Sequence, residues 1–324
     1  MNHLLQITDL HTRFRTEDGI IHAVNGIDFT IDNSETLCIV GESGCGKSVT
    51  ALSILGLLPT PQGWVEQGRI FYQGRDLASI PASDLRKIRG NHISMIFQEP
   101  MTSLNPVYRI GEQLIEPLRQ HRKISRTEAW EQAVDMLDKV GIPNPEDRAR
   151  HYPHELSGGM RQRVMIAMAL ICDPALLIAD EPTTALDVTI QAQILDLINN
   201  LKEKFGTAVL MITHDLGVVS ETADQVAVMY LGKIVEYGSV ERLFATPLHP
   251  YTSGLMDSIP QLEKPVPADR KLPTISGTVP SLFHIPRGCA FAERCPKAMK
   301  KCRTSAPRLL DLRSDHKVRC WLYE

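Results

Sequence analysis

Apolar and polar residues follow one another with two different periods along the chain, and each period predicts a type of secondary structure. Alternation over residues 3–14 and 21–31 predicts two strands joined by a turn at Asp18-Gly19. Residues 226–238 predict a second antiparallel hairpin, with Leu231-Gly232 at its turn. Short apolar runs predict further strands, several of them buried on both faces. These strands are predicted at residues 36–40, 69–72, 92–98, 175–179 and 208–213.

Helical periodicity appears between the predicted strands. The spacing of apolar residues predicts a helix that begins at Lys47 and ends before Pro59, and two amphipathic helices over 126–140 and 189–204. Strands that alternate with helices indicate βαβ units and a largely parallel sheet. The sequence therefore predicts an α/β fold.

The pattern divides the chain into two predicted domains. Residues 1–246 carry the strand and helix signals, and about 101–170 of them are predicted to form a helical subdomain. Residues 247–324 are predicted to form an extended C-terminal appendage, because repeated prolines interrupt any regular pattern there. These prolines include Pro247, Pro250, Pro260, Pro265, Pro267, Pro273, Pro280 and Pro286.

Composition narrows the class of protein. The 324 residues carry a net charge of −3 and are 43% hydrophobic, which is enough for a sizeable core. No apolar run approaches the ~18 residues of a membrane-spanning helix, and the first ten residues do not resemble a signal peptide. Secreted, membrane-spanning and disordered classes are therefore disfavoured. The near-neutral charge also argues against a nucleic-acid partner.

One segment combines glycines with a lysine and a serine at the spacing of a phosphate-binding loop. It runs from Gly41 to Ser48, follows a predicted strand and opens a predicted helix, as the motif requires. Glycines let backbone N–H groups approach phosphate oxygens, Lys47 adds positive charge, and the hydroxyl of Ser48 suits Mg²⁺. An ordinary glycine turn is the alternative, and the strand-to-helix context disfavours it.

Two adjacent carboxylates end the predicted strand at 175–179. Asp180 is placed to hold Mg²⁺, largely through water, and Glu181 to polarise an attacking water. By themselves they could equally be a helix cap and a solvated side chain. Their occurrence together with a phosphate-binding loop favours the catalytic interpretation.

A second helix start with glycines lies just before this strand. Ser157-Gly158-Gly159 begins the segment Leu156–Arg163 and provides another anion-binding helix N-terminus. Two head-to-tail copies would each offer this site to the nucleotide of the other. Together with the phosphate loop and Asp180-Glu181, the segment resembles the signature sequence of ATP-binding cassette (ABC) ATPases. The resemblance covers residues 1 to about 245 and implies a P-loop ATPase with a mixed-sheet core.

The resemblance implies roles for individual residues. Gln98 matches the glutamine that reaches Mg²⁺ and the attacking water, His214 matches the histidine that contacts the γ-phosphate, and Phe14 falls where an aromatic ring stacks on adenine. It implies Glu181, His214 and Gln98 as catalytic residues and Ser48, Gln98 and Asp180 as Mg²⁺ ligands. It implies ATP contacts for Phe14, Gly41, Glu42, Ser43, Gly44, Cys45, Gly46, Lys47, Ser48, Val49, Ser157, Gly158, Gly159 and Asp187.

Asp187 lies in Ala185-Leu186-Asp187, which matches the loop that crosses the dimer interface in this family. Met160 departs from the pattern, since many members have glutamine there. It lies outside the Ser157-Gly158-Gly159 contact, so we expect function to survive.

Three further segments resemble the ATPase subunits of bacterial oligopeptide, dipeptide and nickel importers. They are residues 97–106, His249-Pro250-Tyr251-Thr252, and the cysteine-containing end of the chain. This resemblance implies a peripheral subunit on the cytoplasmic face of the cell membrane that docks on permease subunits through the region after Gln98. A paralogous ATPase or a second copy would complete the dimer, and an extracellular or periplasmic substrate-binding protein would deliver the cargo. Dipeptides, longer peptides and nickel all remain open as cargo.

The seven cysteines are distributed unevenly. Cys38, Cys45 and Cys172 are predicted to be small buried residues. Four crowd into the last segment with the spacing C-x5-C-x6-C-x17-C, which in a reducing compartment indicates metal more than disulfides. In relatives, such cysteines can bind an iron–sulfur cluster, so the resemblance implies [4Fe–4S], with Zn²⁺ and free thiols as alternatives. The four are Cys289, Cys295, Cys302 and Cys320.

Two other functions compete with transport. A soluble ABC ATPase of DNA repair or translation usually carries a coiled-coil insertion or a second cassette, and neither pattern occurs in this sequence. A nucleic-acid-binding regulator is disfavoured by the net charge and by the absence of a basic run.

Overall fold

The computed structural model describes residues 3–98, 103–184, 187–258, 274–283, 285–313 and 316–324. The chain divides into two compact units. The first unit comprises the described residues of Met1–Leu4, Ile31–Thr36 and Tyr72–Ile212. The second comprises those of Leu5–Thr30, Leu37–Phe71 and Thr213–Glu324.

The described residues form strands and helices, numbered in chain order. The strands are β1 (Leu5–Thr16), β2 (Gly19–Ile31), β3 (Thr36–Val40), β4 (Gly63–Tyr72), β5 (Arg75–Asp76), β6 (Ile93–Ile96), β7 (Leu176–Asp180), β8 (Ala208–Thr213), β9 (Gln225–Tyr230), β10 (Lys233–Ser239), β11 (Leu310–Arg313) and β12 (His316–Val318). The helices are α1 (Lys47–Leu55), α2 (Ala82–Ile88), α3 (Ile110–His121), α4 (Arg126–Lys139), α5 (Pro145–Arg148), α6 (Gly158–Leu170), α7 (Val188–Phe205), α8 (Leu216–Thr222), α9 (Val240–Ala245), α10 (Pro250–Asp257) and α11 (Lys300–Thr304). Short 3-10 turns occur at Pro153–Glu155 and Trp321–Tyr323.

The first unit is built on a parallel arrangement of β6, β7 and β8. Ile93 pairs with Leu176 and Ile178 pairs with Leu210, so β7 lies between the other two strands. Every residue of β7 and β8 is buried, which explains why both read as uninterrupted apolar runs. The predicted strands at 175–179 and 208–213 are thus confirmed, and Asp180 lies at the carboxyl end of β7.

Helices dominate the first unit between residues 110 and 170. The predicted helix at 126–140 is confirmed as α4, which buries Ala129, Ala133, Met136 and Leu137. Ser125 accepts a hydrogen bond from the N–H of Glu128, whose side chain accepts one from the N–H of Ser125. This reciprocal capping explains why the helix begins where it does.

The second unit contains the two predicted hairpins. Strands β1 and β2 are neighbours, and β4 lies on the other side of β1. Strands β9 and β10 pair antiparallel, and β9 pairs parallel with β3. The turn at Leu231-Gly232 has positive φ at both positions, as a tight two-residue hairpin requires. Helix α1 ends at Leu55 rather than near Pro59, because Gly56 adopts a left-handed conformation and closes the helix with bonds to its last carbonyls.

The end of the chain is more regular than the sequence predicts. The prolines indicated an irregular appendage, but α10, α11, β11 and β12 lie within it. Strand β12 pairs antiparallel with β10, with Glu236 opposite Val318 and Gly238 opposite His316. The prediction was wrong because strands of three and four residues carry too few positions to show a period. In the described parts of the chain, every helix is too short or too polar to span a bilayer.

Candidate functional site

The phosphate-binding segment lies in the second unit, directly between β3 and α1. Two of its glycines are required by close backbone contacts: a Cβ on Gly41 would lie 2.1 Å from the carbonyl oxygen of Met229, and one on Gly46 would lie 2.3 Å from that of Ala23. Gly46 also has a φ of 106°, which favours glycine. Both positions therefore require glycine.

The start of α1 is suited to an anion. Gly46 is the N-cap and has no side chain to occupy the free N–H groups of the first turn. No acidic residue occurs in that turn, so no negative charge there repels an anion. Ser43 and Gly44 are exposed, and the space around Gly44 is open. Phosphate oxygens fit this arrangement of donors and free space.

Lys47 points back into this loop. Its Nζ donates to the carbonyl oxygens of Gly41 at 2.9 Å and Glu42 at 3.2 Å, and the residue is only 5% exposed. Its charge therefore already lies within the loop that would surround the phosphates. Ser48 and Val49 follow in the first turn, both half-buried, while Cys45 is buried. Burial raises the pKa of the Cys45 thiol, so it remains protonated.

In the first unit, the structure brings together two residues that are 83 positions apart in sequence. The side chain of Gln98 donates from Nε2 to Oε2 of Glu181 at 3.0 Å, and the hydroxyl of Thr184 donates to the same oxygen at 3.0 Å. Glu181 has a φ of 47°, uncommon for a residue with a side chain, and its N–H donates to the carbonyl of Ile212. Asp180 immediately precedes it and is buried at the end of β7.

Ser157 begins α6 in the first unit as its N-cap. The hydroxyl accepts a hydrogen bond from the N–H of Met160 at 3.3 Å, and no acidic residue occurs in the first turn. Ser157 and Gly158 are exposed, and the space around Gly158 is open. The predicted helix start therefore lies on the surface of this unit, and anion binding there stays a prediction.

Three predicted residues have local structural contacts. Asp187 caps α7 by accepting from the N–H of Ile190 at 3.0 Å, while Ala185 and Leu186 lie outside the described residues. His214 follows β8 and is exposed. Phe14 is half-buried and packs against Gly63, where a Cβ would come within 2.7 Å of its ring.

The four C-terminal cysteines lie in the second unit, and none of them forms a disulfide. Backbone N–H groups of Phe291, Lys297 and Leu322 donate to the sulfurs of Cys289, Cys295 and Cys320, and the N–H of Met299 donates to that of Cys302. Burial raises the pKa of Cys289 to about 11. Within the described residues, no group of three or more His, Cys, Asp or Glu side chains is arranged to hold a metal ion. The predicted cluster therefore has no preformed ligand set.

One set of contacts at the phosphate loop has no signature in the sequence. The carboxylate of Glu42 forms a two-pronged ion pair with Arg294, and the backbone N–H of Glu42 donates to the hydroxyl of Tyr251. Both partners lie in sequence segments that resemble peptide-importer ATPases, but a resemblance of segments does not reveal which loop they contact.

Comparison with known proteins agrees with this geometry. A family model described as ABC transporter matches residues 24–184, and one described as oligopeptide/dipeptide transporter, C-terminal region, matches residues 235–302. Over 324 residues the chain is 55% identical to the oligopeptide transport ATP-binding protein AppD of Bacillus subtilis (strain 168), covering 100% of this chain and 98% of AppD. The chain belongs to the family of ABC transporter ATP-binding subunits.

Other members of this ABC family are similar over the same extent. The chain is 53% identical to the oligopeptide transport ATP-binding protein OppD of Haemophilus influenzae, over 99% of this chain and 98% of OppD. It is 50% identical to the dipeptide transport ATP-binding protein DppD of Bacillus subtilis, over 100% of this chain and 96% of DppD. The resemblance indicated by the motifs is therefore confirmed, and the chain is an ABC-type ATPase.

Solved structures support the predicted fold class. The dimeric post-hydrolysis state of the ATP-binding cassette MJ0796, bound to ADP and Pi, aligns with a TM-score of 0.65 at 28% identity, covering 73% of this chain and 98% of that chain. The structure of cbiO1 from Clostridium perfringens aligns with a TM-score of 0.63 at 27% identity, covering 76% and 92%. The α/β ABC ATPase fold is thus confirmed.

Proposed function

We propose that this ABC ATPase powers the import of peptides through a membrane permease. End-to-end similarity to subunits named for oligopeptide and dipeptide transport carries the proposal. The match to an oligopeptide/dipeptide transporter C-terminal region supports the same class of cargo. Because related subunits carry both names, dipeptides and longer peptides are both candidates.

The residues of the site supply the parts that ATP hydrolysis requires. Lys47 and the N–H groups at the start of α1 bind the phosphates, and His214 contacts the γ-phosphate. Ser48, Gln98 and Asp180 offer the oxygen donors that Mg²⁺ prefers, and the ion when bound neutralises phosphate charge. The adenine ring is held against Phe14. These assignments rest on the family pattern together with the local geometry of each residue.

Glu181 is proposed to polarise the water that attacks the γ-phosphate. Hydrogen bonds from Gln98 and Thr184 to Oε2 orient its carboxylate. A carboxylate that polarises a water molecule must face that water, so a fixed orientation suits this role. Gln98 also belongs to the segment that leads into the helices, so its contact with Glu181 can link the catalytic carboxylate to movement of that segment.

We propose a head-to-tail dimer, either of two copies or with a paralogue. Support comes from the exposed helix start at Ser157-Gly158, which is a second anion-compatible site on a chain that already has a phosphate loop. The solved cassette MJ0796 is itself dimeric. In the proposed dimer, each chain presents this helix start to the nucleotide bound by its partner, and Asp187 lies close to the same interface.

The permease is proposed to dock near the start of the helical region. Val107 is 71% exposed, its neighbour Tyr108 is exposed, and so is Phe97, which lies earlier in the sequence. Large apolar side chains in water favour a partner that covers them. The chain would then be held at the cytoplasmic face of the membrane as a peripheral subunit, and a substrate-binding protein on the other side would deliver the peptide.

The four C-terminal cysteines are proposed to bind a [4Fe–4S] cluster, with Zn²⁺ as the alternative. Support comes from the backbone N–H groups that donate to all four sulfurs, since hydrogen bonds to the ligand sulfurs are a feature of iron–sulfur sites. The absence of a preformed ligand group in the described residues means that binding must draw the sulfurs together. Anaerobic purification followed by iron, sulfide and zinc analysis distinguishes a bound [4Fe–4S] cluster, bound Zn²⁺ and free thiols.

Transport is tested by reconstitution with the permease in lipid vesicles. Added substrate-binding protein and peptide should stimulate ATP hydrolysis, and labelled peptide should accumulate inside the vesicles. Dipeptides, longer peptides and Ni²⁺ are compared in parallel. If only Ni²⁺ stimulated ATP hydrolysis, or if none of the three cargoes did, the proposed peptide import would be contradicted.

A further inference from the structure

Glu42, the second residue of the phosphate loop, is held by the C-terminal extension (residues 247–324). Oε2 of its carboxylate lies 2.7 Å from Nη1 of Arg294, and Oε1 lies 2.9 Å from Nη2. The Arg294 side chain is only 5% exposed, while that of Glu42 is 29% exposed. Two parallel bonds between charged groups fix distance and orientation more firmly than a single contact.

Arg294 is itself fixed in place. Its Nε donates to the carbonyl oxygen of Ser276 at 3.0 Å, and Nη1 donates to the hydroxyl of Tyr230 at 3.3 Å. The guanidinium also lies over the rings of Tyr230 and Phe291, at 5.8 and 6.0 Å from their centroids. The partner of Glu42 is therefore a preorganised group rather than a long side chain that samples many rotamers.

A second contact from the extension reaches the backbone of the same residue. The N–H of Glu42 donates to the hydroxyl of Tyr251 at 2.9 Å. Tyr251 is fully buried, and its ring lies 4.7 Å from that of Tyr230 and 5.3 Å from that of Phe291. The aromatic cluster therefore holds the hydroxyl at a fixed position.

The carbonyl of Glu42 completes the set, because it accepts a bond from Nζ of Lys47. Side chain, N–H and carbonyl of one loop residue are thus all engaged, beside glycines that by themselves leave the loop many conformations. The charge on Glu42 is also neutralised, which matters in a loop that must accept phosphates.

We propose that Arg294 and Tyr251 are positioning residues that hold the phosphate loop in its nucleotide-binding shape, so that the C-terminal extension sets the affinity for ATP. The inference rests on ATP binding by this loop. It gives the extension a role in the ATPase itself, through a contact that spans 252 residues of sequence.

The test compares matched pairs of variants in the full-length protein. Arg294→Ala removes the ion pair, and its control Arg308→Ala removes an exposed arginine from the same extension. Tyr251→Phe removes only the hydroxyl at Glu42, and its control Tyr323→Phe removes a hydroxyl that donates to Leu248. Affinity is measured by titration with a fluorescent ATP analogue and Mg²⁺, and order in the loop by hydrogen exchange of amides 42–46.

We expect Arg294→Ala to weaken nucleotide binding about tenfold and Tyr251→Phe about threefold, with faster exchange confined to the loop. Arg294→Lys, which keeps the charge but loses the second prong, should fall between Arg294→Ala and the wild type. The two controls should match the wild type in both measurements. In the double variant Glu42→Ala with Arg294→Ala, the loss of nucleotide affinity should not exceed that of the more weakly binding single variant. Both changes break the same ion pair, so the second has nothing further to remove.

If Tyr251→Phe and Arg294→Lys both showed the affinity and the loop protection of the wild type, the inference would be overturned. This holds even if Arg294→Ala did not fold. Losses that add in the double variant, or equal losses in the controls, would also overturn it. If the wild type itself failed to bind the analogue, the ATP site would be refuted and the inference with it. If the wild type binds the analogue and Lys47→Ala does not, the ATP site stands. The inference is then judged on the variants of Arg294 and Tyr251 alone.

Discussion

Gln98 and Glu181 are joined by a hydrogen bond, with Nε2 of the amide 3.0 Å from Oε2 of the carboxylate. The hydroxyl of Thr184 donates to the same oxygen at 3.0 Å, so two hydrogen bonds fix the orientation of the carboxylate. A charged, oriented carboxylate is what polarising a water molecule requires. The pair therefore connects the proposed catalytic role of Glu181 with the position of the loop that contains Gln98.

Glu181→Gln should separate ATP binding from hydrolysis. The amide keeps the size of the side chain but removes the negative charge that polarises water, so turnover should fall by about 10²- to 10⁴-fold. Nucleotide affinity should be close to that of the wild type. The measurement is phosphate release alongside equilibrium binding, and Glu203→Gln, in the exposed part of α7, is the control. Near-normal turnover in the assembled transporter would remove Glu181 from the catalytic role.

Lys47→Ala should impair binding as well as turnover. The ammonium is the charge that the loop brings to the phosphates, and hydrogen bonds to charged groups are worth about 1.5–3 kcal/mol, so affinity should fall at least about tenfold. Lys87→Ala is the control, because this lysine pairs with Asp84 on the exposed helix α2. Both variants are titrated with the same nucleotide. Unchanged affinity in Lys47→Ala would mean that this loop is not where the phosphates of the nucleotide bind.

Ser157→Arg should block dimer closure while leaving the monomer able to bind ATP. The large charged side chain would fill the exposed helix start that the partner nucleotide is proposed to approach. Wild-type specific activity should rise with protein concentration, and that of the variant should remain low. Ser125→Arg, which removes a helix cap of the same kind from α4, controls for the lost cap. Loss of ATP binding by the Ser157→Arg monomer would place this serine in the chain's own site.

His249 should make the protein sensitive to acid. The residue is 1% exposed, its Nδ1 accepts a bond from the N–H of Tyr251, and burial lowers its pKa from 6.5 to about 3. Between these two pH values, the unfolded chain binds a proton at this residue that the folded chain does not, so stability falls as the pH falls. One such proton corresponds to about 1.4 kcal/mol per pH unit.

His249→Asn tests this pH dependence, because asparagine can still accept the bond from Tyr251 but does not titrate. Urea unfolding is measured at about pH 7.5 and about pH 5.5 for both proteins, and the wild type should lose about 1.4 kcal/mol more than the variant between the two values. The variant will be less stable at both, so only the difference between pH values is decisive. Equal losses in the two proteins would show that His249 titrates normally in the folded state.

The sequence determines the chemistry that neighbouring residues perform together. The phosphate loop from Gly41 to Ser48, the acidic pair Asp180-Glu181 and the helix start at Ser157 are each predicted from a few consecutive residues. Their local geometry follows from glycine conformations, strand ends and helix caps, which depend on sequence neighbours. The buried strands β7 and β8 were predictable for a similar reason, because a strand covered on both faces must be apolar throughout.

The pairing of distant residues, in contrast, depends on the tertiary structure. Nothing in the local pattern pairs Arg294 with Glu42, brings Gln98 to Glu181 or places β12 beside β10, since each contact depends on how the intervening chain folds. The short strands at the end of the chain show no period in the sequence, and they are stabilised by partners such as Glu236, whose carboxylate lies 2.8 Å from the ring of His316. Local propensity depends on consecutive residues, whereas a long-range ion pair or an added strand forms only when the packing of the whole chain brings its partners together.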